Sequence, residues 1–245
     1  MFVDMKKLIF ILVTLVTFSS CSKDEIDKFL AGNGLTNEEI IEGLKSALTV
    51  GTDTSVTVLN KLDGYYRDDL VKILLPEDAK AIYDNINKVP GGSLLLEETI
   101  KSLNRAAEDA AIEAKPIFID AITSITINDG LSILNGADTA ATFYLKDKTF
   151  SPLYNAFQPK IDASLNKELV GGVSANSAYN NLVSAYNTAS LNGILFPKIT
   201  TNSLSTHVTN KALMGLFIKV ADEEKAIRTD PIARVNDILK KVFSK

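Results

Sequence analysis

The sequence predicts an all-α fold, a multi-helix bundle of about nine to eleven helices with no substantial sheet. Three observations carry this. Apolar residues recur at three- and four-residue intervals along most of the chain. Helix-start chemistry precedes these runs, and Gly-Gly or Asn-Gly pairs close them. No run alternates apolar and polar residues as a half-buried strand would, and no fixed-period repeat occurs.

In chain order, Thr36-Asn37-Glu38-Glu39 has the form of a capping box, and Ile40, Ile41, Leu44, Ala47 and Leu48 follow at helical spacing. That helix is expected to reach about Leu59, although Gly51 and the β-branched run after it weaken its second half. Asp63-Gly64 marks a turn, and Val71–Leu75 reads as an extended connector because Pro76 disfavours helical geometry before it. Pro76 then opens a helix to about Val89, closed by Pro90-Gly91-Gly92. A long helix follows from about Ser93 to Glu113, half of its apolar face made of alanines, which lets a neighbouring helix approach closely.

Pro116 opens or kinks the next helix, and Thr126 and Asp138 cap two short ones. Ser151-Pro152 reads as a further helix start, Pro159 as a break, and Gly171-Gly172 as a stop. Ser174 to about Thr188 is a more polar helix with Tyr179, Leu182, Val183 and Tyr186 inward. After a loop at 189–201, one helix runs from Lys211 to about Thr229, and Asp230-Pro231 caps a last one. Residues 36–245 are thus expected to form a single helical domain, with 171–201 as the candidate subdomain break.

The N-terminus reads as an address. Lys6-Lys7 precedes an apolar core at Leu8–Phe18, well short of the ~20 residues that span a bilayer. Residues 1–20 are therefore expected to be a signal peptide. Phe18-Ser19-Ser20-Cys21 has the form of a bacterial lipobox, which makes Cys21 the lipidation site and residues 21–35 an acylated cysteine and flexible tether. Lys23, Asp24 and Glu25 resemble the short export signal of surface lipoproteins, with an ordinary solvated tether as the alternative. The expected location is the outer membrane, with its periplasmic and surface faces both open.

Composition excludes several classes of function. The chain has 245 residues and a net charge of −4, and its lysines and arginines do not cluster, so it lacks the footprint of a nucleic-acid binder. Its one cysteine rules out an intrachain disulfide framework. The lone His207 has no nucleophile elbow to serve and reads as a surface or capping residue. Zinc, EF-hand, Walker and dinucleotide motifs are missing, and no cofactor is implied.

Two charged constellations stand out. Asn104, Arg105 and Glu108 lie on the long alanine-rich helix, with Arg105 four residues before Asp109. Glu223, Glu224 and Arg228 lie on the late helix, with Glu224 and Arg228 also four apart. One reading is a polar network that fixes helix register. The other is a carboxylate site for a cation or for acid–base chemistry. Tyr65 and Tyr66 read either as packing residues or as the lining of a ligand surface.

With these residues in view the chain resembles a bacterial lipoprotein family of unknown function, domain of unknown function 4197. The resemblance rests on Ile73-Leu74-Leu75-Pro76, Leu103-Asn104-Arg105-Ala106-Ala107-Glu108, Ile133-Leu134-Asn135-Gly136 and Ala140-Ala141-Thr142. It continues in Lys211-Ala212-Leu213, Gly215-Leu216-Phe217, Glu223-Glu224, Ile227-Arg228 and the terminal Leu239–Phe243 run. Gly130 and Met214 depart from the family's tendencies. The resemblance implies a lipoprotein and a helical fold, but no activity and no catalytic residue.

Three functions follow as expectations. The first is a lipid-anchored envelope protein, a non-catalytic binding or structural module for an unidentified protein or small molecule. The second is a carboxylate-dependent enzyme using Arg105, Glu108 and Glu224. The third is a binder of an apolar ligand, such as a lipid, on the small-residue faces.

Overall fold

Alanine sets the geometry of the interior. Ala106, Ala107, Ala110, Ala111 and Ala114 are all fully buried. Without bulk beyond Cβ, the first three of these let helix α3 (Gly92–Ala110) be approached by three others, α6 (Ala140–Leu165), α7 (Ala175–Ala189) and α8 (Leu204–Thr229). α6 and α8 also pack along each other, and α4 (Ala114–Thr123) lies against α6. The computed structural model describes residues 36–170, 172–200, 203–234, 237 and 240. Cys21, Lys23, Asp24 and Glu25 lie outside the described residues, as does most of the expected last helix.

The remaining elements are α1 (Asn37–Leu59), α2 (Lys80–Asn85), α5 (Ile127–Leu134) and a two-stranded antiparallel hairpin of β1 (Glu168–Val170) and β2 (Val173–Ser174). α1 continues to Leu59 despite Gly51, and the crossing uses that glycine: a Cβ there would meet the Cβ of Glu223 on α8 at 3.3 Å. The core unites residues from all of the larger helices, including the edge-on pair Phe118–Phe217 between α4 and α8. No single helix among the described residues is long and apolar enough to cross a membrane.

The mostly helical class holds, but the count does not. Seven described helices have eight residues or more, and α2 is a single short one, against the nine to eleven expected. The main cause is proline. Pro152 and Pro159, read as a start and a break, both lie inside the 26-residue α6. Both are on its exposed side, as are Lys148 and Asn155 four residues before them. Water there can take up the carbonyls whose amide partners proline removes, so the helix continues. Pro116 occupies the first turn of α4, where its missing N–H has no cost. Pro76 opens only a 3₁₀ turn (Glu77–Ala79) before α2, and Pro231 lies in another, Pro231–Ala233.

Candidate functional site

Three side chains of α3, Asn104, Arg105 and Glu108, are spent on one segment, the turn and extended connector between α1 and α2. Residues 72–76 form no helix and no strand. The connector instead finds its partners in side chains. Asn104, wholly buried, accepts from Ile73 N at 2.8 Å and donates to Ile73 O at 2.8 Å and to Ile100 O at 2.7 Å. Its amide thus does for Ile73 what a neighbouring strand would do. Leu75 N donates to the Tyr83 hydroxyl at 3.0 Å, and His207 Nε2 lies 2.8 Å from Leu74 O.

Next to it on α3, Arg105 reaches both Glu108 Oε2 and Asp63 Oδ1 at 2.5 Å. Glu108 Oε1 accepts from the backbone amides of Tyr65 at 3.2 Å and Tyr66 at 3.3 Å, so both of its oxygens are engaged. Asp63 has φ +68°, and its second oxygen holds Arg67 at 2.9 Å. Burial pushes the Glu108 carboxyl above the usual range, outweighing the Arg105 guanidinium beside it. Burial also opposes charge on Arg105, but its bonds to Asp63 and Glu108 outweigh that and hold it charged. Burial weighs more on Glu108 because it lies deeper, at 5% side-chain exposure against 12%. We therefore treat the pair as an ionised contact that Glu108 enters at a desolvation cost.

Tyr65 is a core residue: fully buried, its hydroxyl donates to Ala212 O at 2.9 Å. Gly215, on the next turn of α8, makes room for it, since a Cβ there would stand 2.8 Å from Tyr65 Cε1. Tyr66 instead lies under two cations, with Lys72 Nζ at 4.4 Å and the Arg105 guanidinium carbon at 5.7 Å from its ring centre.

The second constellation closes a different joint. Glu224, on α8, receives Ala141 N at 3.0 Å, Thr142 N at 2.8 Å and Thr142 Oγ1 at 2.8 Å. These are donors of the first turn of α6, whose own N-cap, Thr139, supplies no side-chain bond. Glu224 is thus the cap of α6, contributed by another helix at the end where a negative charge is favoured. Arg228 holds Glu224 Oε1 at 2.9 Å and donates to Ile133 O at 3.0 Å, near the C-terminal end of α5. One buried ion pair therefore ties α8 to the end of α5 and the start of α6. Arg234 in turn donates to Ile227 O and Arg228 O at the end of α8.

Of the residues singled out in the sequence, Asn104, Arg105 and Glu108 meet on the connector, and Glu224 and Arg228 meet at the α5–α6 joint. No hydrogen bond or ion pair among the described residues joins the two groups. Glu223 stands apart from both, against Gly51. Asp109 is not the partner of Arg105; its carboxylate takes the Ser164 hydroxyl and Lys167 Nζ, 3.3 Å away. Asp63, Asn60, Tyr83 and Thr142 were not singled out. Asn60 and Asp63 follow a helix end, and only their place in a turn facing Glu108 gives them a role, Asn60 donating to Glu108 O at 2.8 Å. Among the described residues no group of three or more His, Cys, Asp or Glu side chains is placed to hold a metal ion.

Nothing matches this chain among curated proteins or among solved structures. The profile of one family, described as a protein of unknown function (DUF4197), matches residues 34–244 and so takes in both constellations. The chain belongs to the DUF4197 family of proteins of unknown function.

Proposed function

We propose that this is a lipid-anchored protein of the cell envelope whose helical domain binds a partner or ligand without catalysis. One observation carries the non-catalytic reading: both oxygens of Glu108 and both of Glu224 are engaged with the protein's own amides and guanidinium groups. A general acid or nucleophile needs an oxygen free to meet substrate. The enzyme reading also asks Arg105, Glu108 and Glu224 to serve one reaction, yet they hold different segments of the chain. The apolar-ligand reading is less favoured because the alanine face of α3 is covered by α6, α7 and α8. Support for the anchor comes from Cys21 behind Phe18-Ser19-Ser20 and from the apolar core before it.

The test has two parts. Cys21→Ala is expected to move the protein from the membrane to the soluble fraction of disrupted cells; continued sedimentation with membranes would sink the anchor. Glu108→Gln and Glu224→Gln are expected to lower the melting temperature. Retention of full stability in both, under any condition where they abolish a turnover, would establish the enzyme instead. Protease added to intact cells distinguishes the faces: digestion supports export through Lys23-Asp24-Glu25, and full protection places the protein on the periplasmic side.

A further inference from the structure

A second set of side chains, outside both buried constellations, converges on open space. Between the extended connector, α2 and the first turns of α8 lies a pocket of about 500 Å³. That is within the ~300–1,000 Å³ range of small-molecule sites. Lys72 comes to it from the connector, Lys80 from α2, and His207 and Lys211 from α8, with Glu77 as the one carboxylate in the lining. Three lysines from three separate segments thus line one cavity in a protein whose net charge is −4. Local charge here runs against the global charge, and a concave low-dielectric wall concentrates the resulting field.

The cations are weakly committed to the rest of the protein. Lys80 pairs with Asp84 at 3.5 Å, but both side chains are 63% exposed, and such a pair has little hold in water. Among the described residues Lys72 is shared only with the face of Tyr66. Lys211 has no carboxylate within salt-bridge reach among the described residues. The walls, by contrast, are fixed. His207 is tied to Leu74 O and Tyr83 to Leu75 N, and Asn104 clamps Ile73 between Lys72 and Leu74. A ligand would find the lysines already gathered, so it would bear less of the ordering cost.

We propose that this pocket binds a compact multivalent anion bearing phosphate or carboxylate groups. The proposal rests on the binding-module reading and names the chemistry of its ligand. Lys72 and Lys211 supply the principal charge, Lys80 exchanges Asp84 for the ligand, and the Tyr83 and His207 rings form the rim. His207 is held below its ordinary value first by burial and further by Lys211, against the Leu74 carbonyl. The groups facing it are Lys72 from the connector, Glu77, Lys80 and Tyr83 around α2, and Lys211 on its own helix. A bound anion adds negative charge to that set and favours the imidazolium.

This chain has one histidine, so its ring resonance is a single reporter of the pocket. The experiment uses the full chain, purified without a histidine tag in non-ionic detergent, and titrates it with inorganic pyrophosphate and separately with citrate. The expected result is a saturable shift of the His207 ring signal, with its titration midpoint moved to higher pH. Lys211→Ala and Lys72→Gln should each weaken binding by about tenfold, the loss of one charge-assisted contact. The exposed Lys146→Ala is the control and should leave binding unchanged. Preference for pyrophosphate or for citrate identifies the phosphate or carboxylate source. A linear response reproduced by sodium chloride of equal ionic strength would overturn the proposal, as would unchanged affinity in folded Lys211→Ala and Lys72→Gln. Membrane fractionation of Cys21→Ala is untouched by either outcome, so failure here is separable from failure of the anchor.

Discussion

Glu224→Ala removes the cap of one helix, the ion-pair partner of Arg228 and the link between α8 and α6 in a single substitution. Three donors lose their acceptor: Ala141 N, Thr142 N and the Thr142 hydroxyl. Arg228, with 14% side-chain exposure, is left beside the Ile133 carbonyl without its carboxylate. Breaking a buried pair from one side costs about 3–5 kcal/mol. The exposure of Arg228 lets water recover some of this, so about 3 kcal/mol is the expected loss. For a chain of this length each kcal/mol moves the melting temperature by roughly 2–4 °C, which gives a fall of about 6–12 °C. Glu224→Gln keeps the shape but puts an amide N–H₂ where an acceptor is needed, and about 2 kcal/mol is expected. Thermal unfolding followed by far-ultraviolet circular dichroism measures both. Arg228→Met and the double variant complete a cycle whose coupling should exceed about 1 kcal/mol. A melting temperature within 1 °C of wild type for Glu224→Ala, equivalent to about half a kcal/mol or less, would refute the capping argument.

Other expectations come from the same geometry. Gly215→Ala places a Cβ 2.8 Å from the Tyr65 ring and 3.1 Å from Val71 Cβ, and the overpacking should cost about 1–3 kcal/mol in a denaturant titration. Tyr65→Phe leaves the Ala212 carbonyl without its buried donor and should cost about 1–2 kcal/mol, read the same way. Asp109 carries a pH signature. Burial raises its carboxyl, but the Ser164 hydroxyl and Lys167 together outweigh burial and hold it below its ordinary value. Its folded pKa is thus lower than its unfolded one, so its contribution is present above the unfolded value and lost as pH falls through the folded one. Asp109→Asn should flatten the acid limb of a melting-temperature profile below about pH 4 and leave the neutral region's slope unchanged. Glu108, raised by burial, has the opposite sense and favours folding more as it protonates.

The helices were legible because their signals are local. Capping residues, glycine stops and three-four periodicity fall inside one window, and Thr126, expected as a cap, does cap α5, with Asp129 closing the reciprocal bond. The prolines of α6 are not legible in the same way, because their cost depends on which face of the helix they occupy, and that is decided by the helices packed against it. Charged pairs failed for a related reason. Arg105 was matched with Asp109 by spacing alone, but three residues of separation bring Glu108 equally close, and a turn from outside α3 delivers Asp63. Asp109 is then free to take Lys167. Val71–Leu75 reads as extended from Pro76 alone, but its partner, the Asn104 amide in the Leu103–Glu108 run, is set by the fold. The lysines of the pocket are scattered between positions 72 and 211, and only the fold assembles them. His207, read as a surface or capping residue, bonds a carbonyl of the connector rather than its own helix.

The buried constellation around α3 and the basic pocket share the connector. Asn104 grips Ile73, and the flanking residues Lys72 and Leu74 line the pocket. Tyr65 reaches Ala212, next to Lys211. Asn104 therefore holds the connector that carries Lys72 and Leu74 to the cavity, while standing behind it itself. This has a consequence that separates placement from contact. Asn104→Ala removes both bonds to Ile73, whose buried amide and carbonyl then lack partners, at a cost of about 2–4 kcal/mol. Asn104→Asp keeps the acceptor for Ile73 N but sets a carboxylate against the Ile73 carbonyl, and should be at least as damaging. Asn104→Ala should still fold, and its affinity for the better of pyrophosphate and citrate should fall severalfold although no charge near the ligand has changed. Ionic-strength dependence identifies the origin: the slope of affinity against salt should stay as in wild type for Asn104→Ala and flatten for Lys211→Ala. If Asn104→Ala destabilises the fold yet binds as tightly as wild type, the connector is held by the pocket's own residues, His207 and Tyr83, and the coupling between the two sites is absent.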